Sequence, residues 1–309
     1  MDAATLDNFK LELGQGSETG LAFIIALMMF AVALGLRTEH FRFFKDNPKV
    51  YLAGVAAQII GLPLLTLLVC FIVKPYPSVA LGMILIACCP GGNTSNLLAL
   101  FGRANTALSV SLTATSSICA AFITPVAIIF WCSLYPPTSQ LLTEINLDIV
   151  SFLKQSLVIL ALPLVLGMLG AKFAPTLASK LQKPLALLGG LGLIFLVVMG
   201  FKKYAAEFIE IGAALFMLVV IHNGLAFLMG NVVARLAGAT TRERRALTFE
   251  VGIQNSGLGI VILLTQLGGF GGAGAVAGLW GTWHIIAGLM LVVLFQYQDR
   301  KLLKGSEHV

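Results

Sequence analysis

Cys89-Pro90-Gly91-Gly92-Asn93-Thr94-Ser95-Asn96 and Glu250-Val251-Gly252-Ile253-Gln254-Asn255-Ser256-Gly257 each interrupt an apolar run near its middle. Proline and glycine there free backbone amides and carbonyls that hydrocarbon cannot satisfy. Such backbone is tolerated only inside protein or along an aqueous cavity. Both stretches mix glycine with Ser, Asn or Gln, so whatever lines them is polar. Close helix packing by small residues would account for one such motif, but accounts poorly for a matched pair.

The surrounding chain establishes that these runs lie in a membrane. Of 309 residues, 58% are hydrophobic and 11% charged, against roughly a quarter charged in a soluble domain. This excludes a soluble enzyme, a secreted disulfide scaffold and a disordered chain, and leaves an all-α polytopic membrane protein. The five cysteines fall inside apolar runs and read as small hydrophobes. The first twenty residues carry Asp2, Asp7, Glu12 and Glu18 against Lys10, which is not a signal peptide.

At ~20 apolar residues per crossing, the chain divides into nine transmembrane helices near 21–36, 50–73, 78–101, 105–133, 148–170, 186–201, 208–235, 246–268 and 274–297. With the N-terminus outside, fifteen Lys and Arg fall on cytoplasmic segments and four on outer ones, with Lys154 just inside the fifth span. That is the positive-inside pattern. Residues 1–20 are then an extracytoplasmic segment and 298–309 a cytoplasmic tail. The net charge of +6 becomes a topology signal, and no nucleic-acid partner is needed to explain Arg242-Glu243-Arg244-Arg245.

The two interrupted spans run in opposite directions. Each follows a span with a lone mid-helix amide, Gln58 or Asn223, and each precedes a long span. Residues 21–133 and 148–297 therefore read as inverted repeats, the first lacking its opening helix. Broken helices at corresponding places in two such halves point to the binding site of a secondary transporter.

Glu250 is the acid this reading keeps within the spans. A carboxylate in the bilayer costs ~2.5–3.5 kcal/mol or more and marks a functional site by default; the bland alternative is a cytoplasmic end, five residues after Arg245. An unwound Glu250–Gln254 segment offers a carboxylate, an amide oxygen and free carbonyls, ligands suited to a hard cation such as sodium. Ser109, Thr113 and Ser116 recur on one helix face and are a candidate second wall. Their hydroxyls equally suit back-bonding to their own helix. Gln58 suits either an interhelical hydrogen bond or coordination. His222, Asn223 and His284 are the other buried polar side chains of note. No span holds an Asp pair or a His-Glu-x-x-His motif, and Ser256 has no activated histidine in its segment, so an intramembrane protease is poorly supported.

Cys88-Cys89-Pro90-Gly91-Gly92, Ser95-Asn96 and Ala107-Leu108-Ser109-Val110, with Glu250 to Gly257 and Trp283-His284, resemble the signatures of the bile acid:sodium symporter family over about residues 21–297. The resemblance implies a panel domain, placed at 21–73 and 148–235, and a core domain, placed at 78–133 and 246–297, in which the two broken helices cross. It implies one sodium site from Ser95, Asn96, Ser109, Thr113 and Glu250. A second would use Gln58, Glu250, Gln254 and the carbonyls of Val251 and Ile253. Asn93, Thr94, Asn255, Ser256 and His284 would border the substrate, with Asn255 coupling ions to it. Asn93 stands where threonine is expected, and Ile285 follows His284 where bacterial members often have asparagine. These departures leave the sodium sites intact and the substrate open.

The implied activity is symport of an organic anion, bile-acid-like or a small carboxylate, with two Na+ as coupling ions and no other cofactor. No obligate protein partner is evident beside the lipid bilayer. The compact tails suit a bacterial inner membrane. A proton carried by Glu250 in place of sodium is the alternative, because a buried carboxylate without a cation tends to take a proton. A passive channel or receptor is a more distant one.

Overall fold

The computed structural model describes residues 7, 10–11, 17–37, 42–203 and 205–306. The described residues are helical, with two isolated antiparallel bridges, Lys10 to Phe270 and Gly91 to Gln254, and no longer strand. The helices in chain order are α1 (Ser17–Leu34), α2 (Arg42–Asp46), α3 (Pro48–Ala56), a π-helical turn (Ala57–Gly61), α4 (Leu62–Val73), α5 (Pro77–Cys88), α6 (Thr94–Phe101) and α7 (Thr106–Ser133). They continue with α8 (Pro136–Glu144), α9 (Ile149–Phe173), α10 (Pro175–Lys203), α11 (Ala205–Leu236), α12 (Thr241–Gly252), α13 (Ser256–Gln266) and α14 (Gly271–Ser306).

Among the described residues, five stretches are long and apolar enough to cross a bilayer: Pro48–Val73, Thr106–Ser133, Ile149–Phe173, Gly212–Leu236 and Gly271–Lys301. Thr19–Leu34, Pro77–Cys88 and Ser256–Gln266 are shorter apolar helices. Both expected interruptions are real. At 1.5 Å per residue, α5 and α12 are each ~18 Å long, and α6 and α13 about 12 and 16 Å. Only in series does either pair match a ~30 Å hydrocarbon core.

Local chemistry sets the boundaries. Asn105 caps α7 by accepting from the Leu108 amide at 3.1 Å. Asp148 caps α9 through the Val150 and Ser151 amides, and the Ser151 hydroxyl, with these amides, holds its carboxyl below the usual range. At α12, Thr240 and Glu243 form a reciprocal capping box. The basic cluster at 242–245 therefore begins a helix, and Arg245 is buried within it. Arg245 makes a two-pronged contact to Asp299 at 3.0 and 2.6 Å and donates to the carbonyls of Gly102 and Phe295. It ties the first turns of α12 to α14 and to the end of α6.

Helix α1 packs on α9 and α10. The α3–α4 segment and α11 instead pack with the elements that carry the two motifs: α3 and α4 against α5 and α7, and α11 against α12 and α14. The reason is close approach. A Cβ on Gly230 of α11 would lie 2.4 Å from the Leu247 carbonyl oxygen, and one on Gly167 of α9 would lie 2.6 Å from the Ala33 Cβ of α1. Helix α5 is buried from Ser78 to Cys88, which explains why it is apolar all round. The sixth predicted span, 186–201, is the second part of a longer helix beginning at Pro175. The expected tail is helical as far as Ser306, and 307–309 lie outside the described residues. The expected outer segment 1–20 lies mostly outside them, though Asp7 accepts from the Ser78 amide at 2.9 Å.

Gly230→Ala is expected to destabilise the protein by about 1–3 kcal/mol, because backbone stands where the methyl would go. Gly224→Ala on the same helix meets nothing within 4 Å and should be neutral or stabilising by up to about 1 kcal/mol. Thermal melts of the two purified variants check the contrast.

Candidate functional site

The two interruptions satisfy each other. The Gly92 amide donates to the Ile253 carbonyl at 3.1 Å, and the Asn255 amide donates to the Pro90 carbonyl at 2.8 Å. Cys89 and Ile253 are both extended, so each helix opens into a few non-helical residues, joined by the bridge between Gly91 and Gln254. Ser116 supports the first break by accepting from the Gly91 amide at 3.3 Å. Asn255 caps α13 through the Leu258 amide at 3.0 Å.

Six carbonyls in the second break, from Phe249 to Gln254, all have partners. Phe249 accepts from the Ile253 amide, Ile253 from Gly92 and Gln254 from Ser256. The three between are held by side-chain amides. Gln58 donates to Glu250 O at 2.9 Å, Gln254 to Val251 O at 2.9 Å and Asn223 to Gly252 O at 2.8 Å. The oxygens of these three amides, Gln58 Oε1, Gln254 Oε1 and Asn223 Oδ1, are buried without a partner. Buried polar atoms are rarely left so.

The Glu250 side chain is fully buried beside this segment. Ser95 Oγ donates to it at 2.5 Å and Thr113 Oγ1 lies 3.0 and 2.9 Å from its two oxygens. Ser109 Oγ also donates to it, and Gln58 Nε2 lies 3.5 Å away. Asn96 Oδ1 is 2.9 Å from Ser109 Oγ and 3.2 Å from Thr113 Oγ1. Three hydroxyls thus take part in seven close oxygen–oxygen contacts. Each hydroxyl has one hydrogen to donate, so three hydrogens cannot serve seven contacts. Such a surplus of lone pairs around a carboxylate is the donor set a hard cation takes.

The five residues expected at the first sodium site, Ser95, Asn96, Ser109, Thr113 and Glu250, therefore lie together. They come from α6, α7 and α12. Gln58, Glu250, Val251, Ile253 and Gln254 also gather, although the Ile253 carbonyl is taken by Gly92 and the Val251 carbonyl by Gln254 itself. Gln58 sits in the π-helical turn, a local widening common at functional sites. Ser116, on the predicted stripe, faces the first break and donates to its own helix at Thr113 O. Asn223, noted in the sequence without a role, reaches the second break. Its signal was its match to Gln58 in the other half.

The expected substrate residues are more dispersed. Asn93 is exposed and makes no cap bond, and Thr94 is partly buried at the first turn of α6. Asn255 and Ser256 stand at the start of α13, where Ser256 touches α14 close to Gly281. His284 follows on α14, buried, with Nδ1 unpartnered.

Buried broken helices around an oxygen-lined pocket are features of an ion-coupled membrane carrier. The profile described as Sodium Bile acid symporter family matches residues 22–230, and the chain belongs to that family of sodium-coupled transporters, which are not enzymes. The chain is 28% identical over 288 residues to an uncharacterized sodium-dependent transporter, YocS, of Bacillus subtilis (strain 168), covering 93% of this chain and 86% of that one. It is 27% identical over 251 residues to the ileal sodium/bile acid cotransporter of Homo sapiens, covering 81% and 70%. With the probable sodium/metabolite cotransporter BASS1 of Arabidopsis thaliana chloroplasts it shares 27% over 248 residues, covering 79% of this chain but 59% of that one. The chain is thus an integral membrane protein whose coupling ion is sodium.

Thr113→Val keeps the shape of the side chain and removes a hydroxyl that contacts both oxygens of Glu250. The expected cost is about 1–3 kcal/mol in sodium-free buffer. Ser111→Ala, which deletes a hydroxyl bonded to its own helix at Ala107 O, should cost less than half as much. Melting curves in potassium buffer measure both.

Proposed function

We propose that this protein imports an organic anion together with two sodium ions, by alternating access around the paired breaks. The observation that carries the reading is the Glu250 pocket, where oxygens outnumber the hydrogens available to separate them. One sodium would sit among Ser95, Asn96, Ser109, Thr113 and Glu250. The second would sit by Glu250, Gln58 and Gln254, whose amides turn their unpartnered oxygens inward and release the Val251 carbonyl; the Ile253 carbonyl would serve both Gly92 and the cation. Sodium bound there would draw α6, α7 and α12 together and order the breaks.

The anion would meet the starts of α6 and α13. Free amides and the positive end of each half-helix there favour a carboxylate, with Asn93, Thr94, Asn255, Ser256 and His284 around it. Nine spans place the N-terminus outside and the C-terminus in the cytoplasm, in keeping with the distribution of Lys and Arg and with a bacterial inner membrane. The packing favours a division other than the one expected from sequence. Helices α1, α9 and α10 would form the panel, and α3 to α7 with α11 to α14 the core that carries both cations.

Two sodium ions with a monoanion move one net positive charge, worth about 2.3 kcal/mol per 100 mV. In proteoliposomes, an inward sodium gradient should drive accumulation of a carboxylate substrate chosen by thermal-shift screening. An inside-negative potential should increase it. In the purified protein, NaCl should raise the melting temperature and KCl should not, and Glu250→Ala should abolish the difference. Equal responses to sodium and potassium from pH 6 to 8 would overturn sodium coupling at this site. A response that follows pH instead would assign the coupling to a proton on Glu250.

A further inference from the structure

Asn223 is fully buried on α11, and nothing in the expected sodium sites includes it. Its Nδ2 donates at 2.8 Å to the carbonyl of Gly252, the residue between Val251 and Ile253. Gln58, Gln254 and Asn223 thus hold three successive carbonyls, those of Glu250, Val251 and Gly252. All three amides leave their oxygen buried and unpartnered. Asn223 therefore has the same environment as the two amides expected to coordinate sodium, and it approaches the segment from a different helix.

Its position is built into the contact between α11 and α12. Asn223, Phe227 and Gly230 follow one another at helical spacing along the face of α11 that meets α12. A Cβ on Gly252 would lie 2.1 Å from the Phe227 ring, and a Cβ on Gly230 would lie 2.4 Å from the Leu247 carbonyl oxygen. With glycine at both points, α11 comes close enough for the short asparagine side chain to reach the break. The backbone there is opening from helix to extended chain, with Ile253 at φ −110 and ψ 104. Gly252 is the last helical residue, and Val251 before it is still within α12. A clamp on the Gly252 carbonyl fixes the peptide plane at which the helix ends, and with it the placement of the Val251 carbonyl before it and the Ile253 carbonyl after it.

We propose that Asn223 is the third amide of the second sodium site: a positioning residue that turns the Gly252 carbonyl toward α11 and so presents the Val251 and Ile253 carbonyls to the cation. The inference rests on the two-site reading given above. It also makes Asn223 the counterpart, in the second half of the chain, of Gln58 in the first.

The test is a sodium titration followed by thermal shift on the full chain in detergent, with KCl replacing NaCl at constant ionic strength. Asn223→Leu removes the donor and should raise the half-saturating sodium concentration about tenfold. Asn223→Ser keeps a donor and should stay within about threefold of wild type. If Asn223→Leu does not fold, Asn223→Ala carries the same expectation, since it also removes the donor to the Gly252 carbonyl. A half-saturation equal to wild type in the donorless variant, with a lowered melting temperature in potassium, would make Asn223 purely structural and overturn the proposal. Gln254→Ala separates this from failure of the underlying reading. If it weakens sodium while Asn223→Leu does not, the site stands and the positioning role falls. If wild type itself shows no preference for sodium, the two-site reading falls.

Discussion

Backbone left unpaired inside a membrane is the constraint on which the rest of this structure depends. Pro90, Gly91 and Gly92 end α5, and the sequence from Gly252 to Asn255 ends α12 and restarts as α13. Neither break can be satisfied by lipid, and each satisfies the other through the bonds from Gly92 to Ile253 and from Asn255 to Pro90. The pairing fixes where four half-helices meet. It also accounts for the polar residues around the junction, because every carbonyl the helices give up must find a donor. Gln58, Gln254, Asn223 and Ser116 supply or receive those bonds.

The same junction explains how a carboxylate is kept in the protein interior. Glu250 belongs to the last turn of α12 and receives bonds from α6, α7 and the π-helical turn. A buried charge without partners would cost several kcal/mol. Here the partners are hydroxyls and amides, which solvate a carboxylate without neutralising it, so a cation is still attracted. Near the start of α12, Arg245 joins that helix to Gly102 and Asp299. The elements that form the pocket are therefore tied both at the pocket and at the far end of α12. Helices α1, α9 and α10 pack on one another and, through α9 and α1, on α7 and α13, and α9 and α10 carry many exposed Leu, Ile and Val side chains, the kind of surface lipid covers.

Much of this was legible in the sequence. Pro90 with Gly91 and Gly92, and Glu250 with Gly252 and Gln254, are local signals, because no other residues open a helix at so little cost and no apolar span carries a carboxylate without reason. Ser95, Asn96, Ser109 and Thr113 were legible through the resemblance of their motifs. The grouping of α3–α4 and α11 with the motif helices was not. It follows from which glycines admit a neighbouring backbone, and glycine in a membrane helix looks the same in sequence whether it meets a helix or lipid.

By itself, then, the sequence determined the membrane class, the two breaks and the acid between them. These depend on composition and on short-range chemistry, and any fold of this chain would have to respect them. The tertiary structure decided which hydroxyls face the carboxylate and which bond back to their own helix, a distinction between Thr113 and Ser111 set by helix rotation. It also decided that Asn223 reaches the Gly252 carbonyl. Both outcomes depend on the distance and orientation of helices far apart in the chain, and only packing sets those.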